Sequence, residues 1–317
     1  MQFLDFEKPI VELEEKISAL ASSNNSQDST IQKQIKTLQG QVDDLMKKVY
    51  GGLSDWQMIQ LARHPQRPYF KDLVNLVFDD FQALHGDRAY RDDEAVIGGI
   101  AYLKDQPVMV IGQEKGRKTK DKLKHNFGMM HPEGYRKALR LMKLAEKFHM
   151  PVITFIDTPG AYPGIQAEER GQSEAIARNL FEMAKLQVPI VSFVIGEGCS
   201  GGALGIGVGD RLLMLEYSYF ATISPEGCAS ILWKTAEKAP EASEIMGITS
   251  KRLYELGLVD EVVKEPLGGA HRHLAQAADL IRDSLTQHVT HLTSMTDSDR
   301  SDQRYARLMA LGNFTES

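Results

Sequence analysis

An apolar run that ends abruptly in glycines, between Pro189 and Asp210, constrains the fold of this chain more than any other stretch. Residues 189–195 have the composition of a strand buried on both faces, and the small residues that follow favour a helix. A helix that begins directly after such a strand leaves its first backbone N–H groups without partners inside the helix. Such groups bind anions or stabilise negative charge as it develops. The stretch therefore predicts a strand-to-helix turn that presents backbone donors.

One familiar motif in this stretch is the dinucleotide-binding fingerprint. Gly196 to Gly201 fits G-x-G-x-x-G after a strand, and the acidic Glu216 lies twenty positions after Gly196. Two features disfavour a nucleotide site. Further glycines follow where a helix should continue, and Glu216 lies inside an apolar run instead of at the end of a strand.

A second motif predicts a different function, because Gly198 to Gly202 also fits G-x-S-x-G, the nucleophile elbow of serine hydrolases. Asp260 and either His271 or His273 follow Ser200 in the chain order of such hydrolases. These histidines come directly after a Gly-Gly-Ala sequence and before a helix, which is equally typical of surface residues. The alternative is that Ser200 is a small residue accepted at a crowded turn.

A third interpretation of the stretch needs no side chain at all. The amides of Gly201 and Gly202, at the start of the helix, would point at an oxyanion. A second loop supports this, because the sequence FIDTPGAYPG (155–164) also ends an apolar strand in glycines. Two such loops side by side would form a cleft lined by backbone donors, although tight turns or close packing also explain individual glycines.

Composition excludes several classes of protein. The net charge of −6 gives no indication of nucleic-acid binding, and two cysteines, Cys199 and Cys228, are too few for a disulfide framework or a thiolate zinc site. No apolar run approaches the roughly 20 residues that span a bilayer. The first residues are acidic and lack the basic segment of a signal peptide. We therefore expect a cytoplasmic protein without a membrane segment.

The pattern along the chain predicts four segments. Residues 1–50 carry two apolar stripes at helical spacing, separated by a polar loop at 22–30, and predict a helical hairpin that is either a stabilising appendage or a partner-binding arm. Residues 51–94 read as a mixed helical connector. Residues 95–296 read as an α/β domain, and residues 297–317 as a polar, loosely held tail.

The α/β segment predicts a buried sheet flanked by helices. Two strands precede the first long helix, so that the order is strand–strand–helix and not simple alternation. The predicted strands are 95–103, 107–112, 151–156, 189–195 and 211–224. The predicted long helices are 132–148, 168–186 and 273–292.

Long motifs over nearly the whole chain resemble one family, the carboxyltransferase alpha subunits of bacterial acetyl-CoA carboxylases. The motifs are IDTPGAYPG (156–164), EERGQSEAIAR (168–178), GEGCSGGA (196–203) and SPEGCASILW (224–233), with FLDF (3–6) and PLGGAH (266–271) near the two ends. One departure is Cys199, where the family usually has glycine. A side chain at that position leaves the neighbouring amides in place.

The resemblance implies a crotonase/ClpP-like fold of repeated β-β-α units, here over residues 95–296, behind the N-terminal hairpin. It implies a transferase that moves a carboxyl group from carboxybiotin to acetyl-CoA, which yields malonyl-CoA for fatty-acid synthesis. The carboxybiotin is borne by the biotin carboxyl carrier protein and is not attached to this chain. The implied partners are a beta subunit in an α2β2 assembly, the carrier protein and biotin carboxylase. The four-cysteine zinc site of the family belongs to the beta subunit, so we expect no metal here.

The resemblance also implies roles for individual residues. The amides of Gly201 and Gly202 would stabilise negative charge on the biotin ureido oxygen, while the thioester oxyanion falls to the beta subunit. The nascent biotin anion can take the methyl proton, so no protein general base is required. The biotin pocket would be lined by Gly160, Ala161, Tyr162 and Gly164, although a purely structural Tyr162 is an open alternative.

A basic stretch at 115–124 contains six basic residues and one acidic residue in an otherwise acidic chain. The plain explanation is a solvated charged face. The resemblance offers another, a contact with coenzyme A phosphates through Lys115 and Arg117, which lie nearest the end of a strand. Two alternatives to the whole function also stay open at this point: a crotonase-like CoA hydrolase or hydratase that acts alone, and a non-catalytic scaffold subunit.

Overall fold

The computed structural model describes residues 2–22 and 28–312 of the chain. Most of the predicted polar loop and the last five residues of the predicted tail lie outside the described residues. Within the described ranges, no helix is both long and apolar enough to cross a membrane.

Strands and helices are interspersed after an all-helical beginning. The α-helices of the described residues are α1 Lys8–Ala21, α2 Ser29–Gly51, α3 Asp55–Ala62, α4 Phe70–Val77, α5 Thr119–Lys124, α6 Pro132–Lys147, α7 Ile165–Glu169, α8 Gln172–Lys185, α9 Ser200–Leu204, α10 Pro225–Trp233, α11 Ala239–Met246, α12 Ser250–Glu255, α13 Leu274–Thr293 and α14 Asp297–Met309. The strands are β1 Asp79–Ala83, β2 Val96–Leu103, β3 Gln106–Gln113, β4 Val152–Thr158, β5 Ile190–Cys199, β6 Arg211–Leu215, β7 Tyr219–Ala221 and β8 Glu261–Val263.

The strands form one mixed sheet in the order β1-β2-β3-β4-β5-β6-β8. The first three strands pair antiparallel, and β3 to β8 pair parallel. The single strand predicted at 211–224 is divided, because Ser218 turns back to hydrogen-bond the Leu215 carbonyl and ends β6. The second piece, β7, pairs with the last three residues of β5, Glu197 to Cys199. This pairing extends β5 beyond its apolar run and fixes its end inside the sheet.

Both faces of the central strands β3 to β6 are buried, which explains their near-continuous apolar runs. Along β4, Val152 and Ile156 face one apolar cluster, in which α6 and α8 pack, while Ile153 and Phe155 face another, in which α4 and α13 pack. Side chains in a strand alternate between faces, so a strand covered on both sides is mostly apolar, and a polar side chain such as Thr154 hydrogen-bonds inside the core. Because β3 to β6 run parallel, their carboxyl ends lie at the same edge of the sheet.

The N-terminal helices α1 and α2 pack on each other and are anchored to the α/β unit through Glu7. Tyr50 donates to Glu7 Oε1 at 2.6 Å, and His271 Nε2 lies 3.2 Å from the same oxygen. Burial disfavours ionisation of Glu7, but hydrogen bonds from His271, from the Leu4 amide and from Tyr50 lower its pKa to about 2. An ionised carboxylate therefore joins the hairpin to residues far along the chain.

His64 completes this anchor as a neutral ring. It is buried against the His271 ring, with the two centroids 4.2 Å apart, and burial and the neighbouring His271 lower its pKa to about 4. Its Nδ1 accepts the Gln66 amide at 3.1 Å, which places the proton of the neutral ring on Nε2. That nitrogen faces Glu7 Oε2 at 4.0 Å. The Glu7, His64 and His271 atoms are close enough for a metal, but in this tautomer His64 Nε2 carries a proton and has no lone pair for one, and among the described residues this nitrogen has no hydrogen-bond partner.

The end of the chain differs from the prediction of a loosely held tail, because residues 297–309 form helix α14 and pack on the core. Arg304 is 1% exposed and forms a fork with Asp210, with Nε–Oδ1 at 2.8 Å and Nη2–Oδ2 at 2.9 Å. Its remaining donors bind the carbonyl groups of Met183, at the end of α8, and of Leu186 and Val188, which precede β5. A polar segment is held firmly when its charge finds a buried partner.

Candidate active site

The site lies where the loops that follow β4 and β5 touch each other. A Cβ added at Gly202, the third residue of α9, would lie 2.4 Å from the carbonyl carbon of Gly160 and 2.7 Å from the amide nitrogen of Ala161. Such contacts are not possible for a real side chain, so the close approach of the two backbones requires glycine. The pair of glycine loops predicted to lie side by side is therefore in direct contact.

The strand-to-helix turn has the geometry expected of a backbone donor site. β5 runs to Cys199, and Ser200 begins α9 with a positive φ of 56°, an unusual conformation for a residue other than glycine. Gly201 and Gly202 follow in the first helical turn, where N–H groups have no partner inside the helix. The Gly202 carbonyl is held by Gln113 Nε2 at 2.8 Å. The buried side chain of Gln113 therefore fixes the orientation of the backbone at this turn.

The structure contradicts the two side-chain interpretations of this stretch. Two of the residues predicted to complete a serine triad are engaged elsewhere, because Asp260 pairs with Arg307 at 2.8 Å and His271 pairs with Glu7. The alternative histidine, His273, is exposed at the start of α13. The dinucleotide fingerprint needs its first glycines in the turn, but Gly196 lies within β5. Its acidic member, Glu216, pairs with Lys264 at 2.7 Å. The glycines that match the dinucleotide fingerprint and the nucleophile elbow are instead explained by close packing of the backbone.

The second loop, after β4, is held by its own side chains. Thr158 Oγ1 bonds both the carbonyl and the amide of Gly160, at 2.8 and 3.1 Å. Tyr162 is half-buried beside the His131 ring, with the centroids 4.6 Å apart. A Cβ at Gly164 would lie 2.3 Å from the Tyr162 ring, so glycine is needed there to admit the tyrosine. Tyr162 has a structural role in the loop, and its place beside biotin stays a prediction.

Lys115 is not available for the predicted contact with coenzyme A. The residue is 9% exposed, and its Nζ lies 2.6 Å from Asp157 Oδ1 and 2.5 Å from Glu197 Oε2. These two carboxylates raise the lysine pKa although burial opposes its charge. A phosphate would have to displace a buried carboxylate from the ammonium group, so the structure argues against this residue as a phosphate ligand. The sequence pattern alone does not distinguish the buried Lys115 from the solvent-exposed cations that follow it in the basic stretch.

The other predicted phosphate residue, Arg117, lies at the surface. Its guanidinium group lies over the Tyr69 ring, 4.6 Å from the centroid, pairs with Asp72 and donates to the Pro65 carbonyl at 2.9 Å. Lys118 and Lys120 beside it are exposed. Cationic side chains free to meet a solvent anion therefore begin after Lys115, along α5.

Two buried acids at the ends of the strands, Asp157 and Glu197, are site residues that sequence reasoning missed. Burial raises the pKa of Asp157, against the nearby charge of Lys115. Burial also opposes ionisation of Glu197, but the charges of Lys115 and Arg63 and a hydrogen bond from Tyr219 lower its pKa to about 2. The available signal was an acidic residue inside each apolar run, in IDTPG and in IGEG, because buried acids are rare without a partner.

The comparisons with known proteins identify the family. Residues 3–312 match the family model described as acetyl co-enzyme A carboxylase carboxyltransferase-like. The chain belongs to this family. It is 65% identical over 317 residues to the acetyl-coenzyme A carboxylase carboxyl transferase subunit alpha of Francisella tularensis subsp. mediasiatica (strain FSC147), with 100% of both chains covered. The same figures hold for the protein of that name from Francisella tularensis subsp. novicida (strain U112).

Solved structures of a transcarboxylase and of an acyl-CoA carboxylase subunit are similar in fold. A transcarboxylase 12S structure has a TM-score of 0.55 at 18% identity, over 69% of this chain and 44% of that chain. The beta subunit of P. aeruginosa geranyl-CoA carboxylase has a TM-score of 0.53 at 16% identity, over 84% and 48%. The predictions of the family, of a crotonase-like α/β fold and of a carboxyl transferase subunit are confirmed.

Proposed function

We propose that this chain supplies half of a carboxyltransferase active site, which transfers the carboxyl group of carboxybiotin, borne by a biotin carboxyl carrier protein, to acetyl-CoA and so forms malonyl-CoA. The observation that carries the proposal is the contact between Gly202 and the backbone of Gly160 and Ala161. A side chain there would fill the space between the two loops, so the glycine preserves a surface made of backbone. The name of the full-length relatives agrees with this chemistry.

The residues present fit a group that gains negative charge when it loses a carboxyl group. Carboxybiotin supplies that carboxyl group when it is bound. The amides of Gly201 and Gly202 would donate to the oxygen on which charge develops, and the loop of Gly160, Ala161, Tyr162 and Gly164 would form the adjoining wall. Preorganised amide donors of this kind are worth about 100- to 1000-fold in rate. They need no change in protonation and no side-chain acid.

A partner beta subunit completes the site in this proposal, with α2β2 stoichiometry and the zinc site in the partner. Apolar side chains beside the two loops support a covering surface, because Ile165 is 79% exposed and Leu204 is 40% exposed. Coenzyme A phosphates would meet Arg117, Lys118 and Lys120 instead of Lys115. Biotin carboxylase would reload the carrier protein, and we expect the assembly in the cytoplasm.

Reconstitution tests the proposal directly. The chain is mixed with a purified beta subunit, free biotin and malonyl-CoA, and acetyl-CoA formation is followed. We expect activity from the mixture and from neither subunit alone. Turnover by this chain alone would instead support a stand-alone hydrolase or hydratase. Full activity of a correctly assembled Gly202→Pro complex, which lacks one amide donor, would support a scaffold subunit without a catalytic role.

A further inference from the structure

The end of β3 contacts both glycine loops through side chains. Lys115, two residues after the strand, bridges Asp157 and Glu197. Asp157 directly precedes the first loop, and Glu197 lies just before the strand-to-helix turn. One buried ammonium group therefore joins the ends of two neighbouring parallel strands at the point where each releases a loop.

A neutral side chain at the same strand end repeats this bridge. Gln113 is fully buried, donates to the Gly202 carbonyl at 2.8 Å and accepts the Asp157 amide at 3.0 Å. The side chains of Gln113 and Lys115 thus link the same two loops at two levels. Because two side chains bridge the loops, they constrain the distance between the loops as well as the conformation of each loop.

The acidic side of the bridge is held by further bonds. Asp157 Oδ1 accepts the Glu197 amide at 2.9 Å. Glu197 Oε1 accepts Arg63 Nε at 2.7 Å and the Tyr219 hydroxyl at 2.8 Å, which leaves Oε2 for Lys115. Interactions between charges are strong in a buried environment, and a network with every member bonded resists displacement.

We propose that Lys115 is a positioning residue, which sets the separation of the two glycine loops and thereby the aim of the Gly201 and Gly202 amides. This inference rests on the proposed function for its kinetic consequence, but not for its structural one. Removal of the ammonium group leaves Asp157 and Glu197 facing each other without a shared cation, so that the strand ends move apart. A displacement of about 1 Å in a catalytic group can cost about 100-fold in rate.

The test uses Lys115→Met in the full αβ complex, with Lys137→Met as the matched control. Lys137 is also a buried lysine, 2% exposed, but its Nζ binds Asp92 at 2.5 Å and the Asp93 carbonyl at 2.7 Å in another part of the core. Hydrogen exchange measured by mass spectrometry follows peptides covering residues 158–164 and 198–204. Steady-state kinetics with malonyl-CoA and biotin, per mole of assembled complex, supplies kcat and KM.

We expect Lys115→Met to speed exchange in both loops by about tenfold, and to lower kcat by about 100-fold with the KM for malonyl-CoA unchanged. Lys137→Met should leave both loops and kcat as in the unaltered protein. Unchanged exchange in the loops of Lys115→Met would overturn the proposal, as would equal changes in the control. An inactive unaltered complex would refute the proposed function, while the exchange data would still decide the role of Lys115.

A second variant keeps the test open if Lys115→Met does not assemble. Glu197 keeps its partner Arg63 in Lys115→Met, whereas Asp157 loses the cation Lys115. The added change Asp157→Asn removes that carboxylate charge and keeps an oxygen for the Glu197 amide. We expect this double variant to assemble and to retain the fast exchange and low kcat. Recovery of both to the values of the unaltered protein would overturn the proposal, because the ionic bridge is still absent.

Discussion

Gly202→Ala should separate the two glycine loops without removing any donor. The added Cβ would lie 2.4 Å from the Gly160 carbonyl carbon, whereas ordinary contacts of a Cβ begin at 3.4 Å. The two backbones must therefore part by about 1 Å, because Gly160 and Ala161 offer no flexible side chain that could yield instead. A shift of this size at a catalytic group corresponds to about 100-fold in kcat.

Gly98→Ala is the matched control, since its Cβ would also meet an atom at 2.4 Å. That atom is the Leu141 Cδ1, at the end of a side chain, and Gly98 lies in β2. Both variants are assembled with the beta subunit, and malonyl-CoA turnover is measured per mole of complex. We expect Gly98→Ala to retain the kcat of the unaltered complex while its stability falls. The reasoning is refuted if assembled Gly202→Ala turns over at the unaltered rate, or if Gly98→Ala loses as much.

Three further predictions concern the rest of the molecule. Arg304→Leu leaves Asp210 buried without its cation and should lower the free energy of unfolding by about 3–5 kcal/mol. Urea denaturation measures this change, and a loss under about 1 kcal/mol would show that α14 is dispensable for stability. The pKa of His64 is about 4 in the folded protein and 6.5 in the free side chain, so the unfolded chain binds a proton first as the pH falls. The free energy of unfolding that the neutral ring contributes is therefore complete above pH 6.5 and is lost as the pH falls towards 4. This loss amounts to about 3 kcal/mol. The variant His64→Asn, whose side chain can still accept the Gln66 amide, should make the free energy of unfolding depend less on pH between 6.5 and 4. An unaltered dependence on pH would contradict the assignment. Arg117→Ala should raise the KM for malonyl-CoA several-fold at unchanged kcat, and an unchanged KM would remove this residue from the coenzyme A site.

Much of the fold could be predicted because its signals are local. The apolar runs predicted at 107–112, 151–156 and 189–195 each coincide with an observed strand, although the last two strands begin one residue later, because a strand buried on both faces is mostly apolar. The predicted strand at 211–224 failed at Ser218, where a hydrogen bond to a carbonyl three residues earlier creates a turn. After this turn the chain continues as β7, which pairs with the end of β5, a partner that a local pattern does not show.

The sequence by itself determined the family and the glycine loops, because long motifs and turn residues can be recognised without knowledge of their neighbours. Only the tertiary structure decided what Lys115 does. In the sequence it is one of six cations in a basic stretch, and in the fold its charge lies between Asp157 and Glu197. The tail was likewise decided by Arg304 and its partner Asp210, 94 positions away. Burial and distant partners set the role of a charge, and neither is visible in the order of residues.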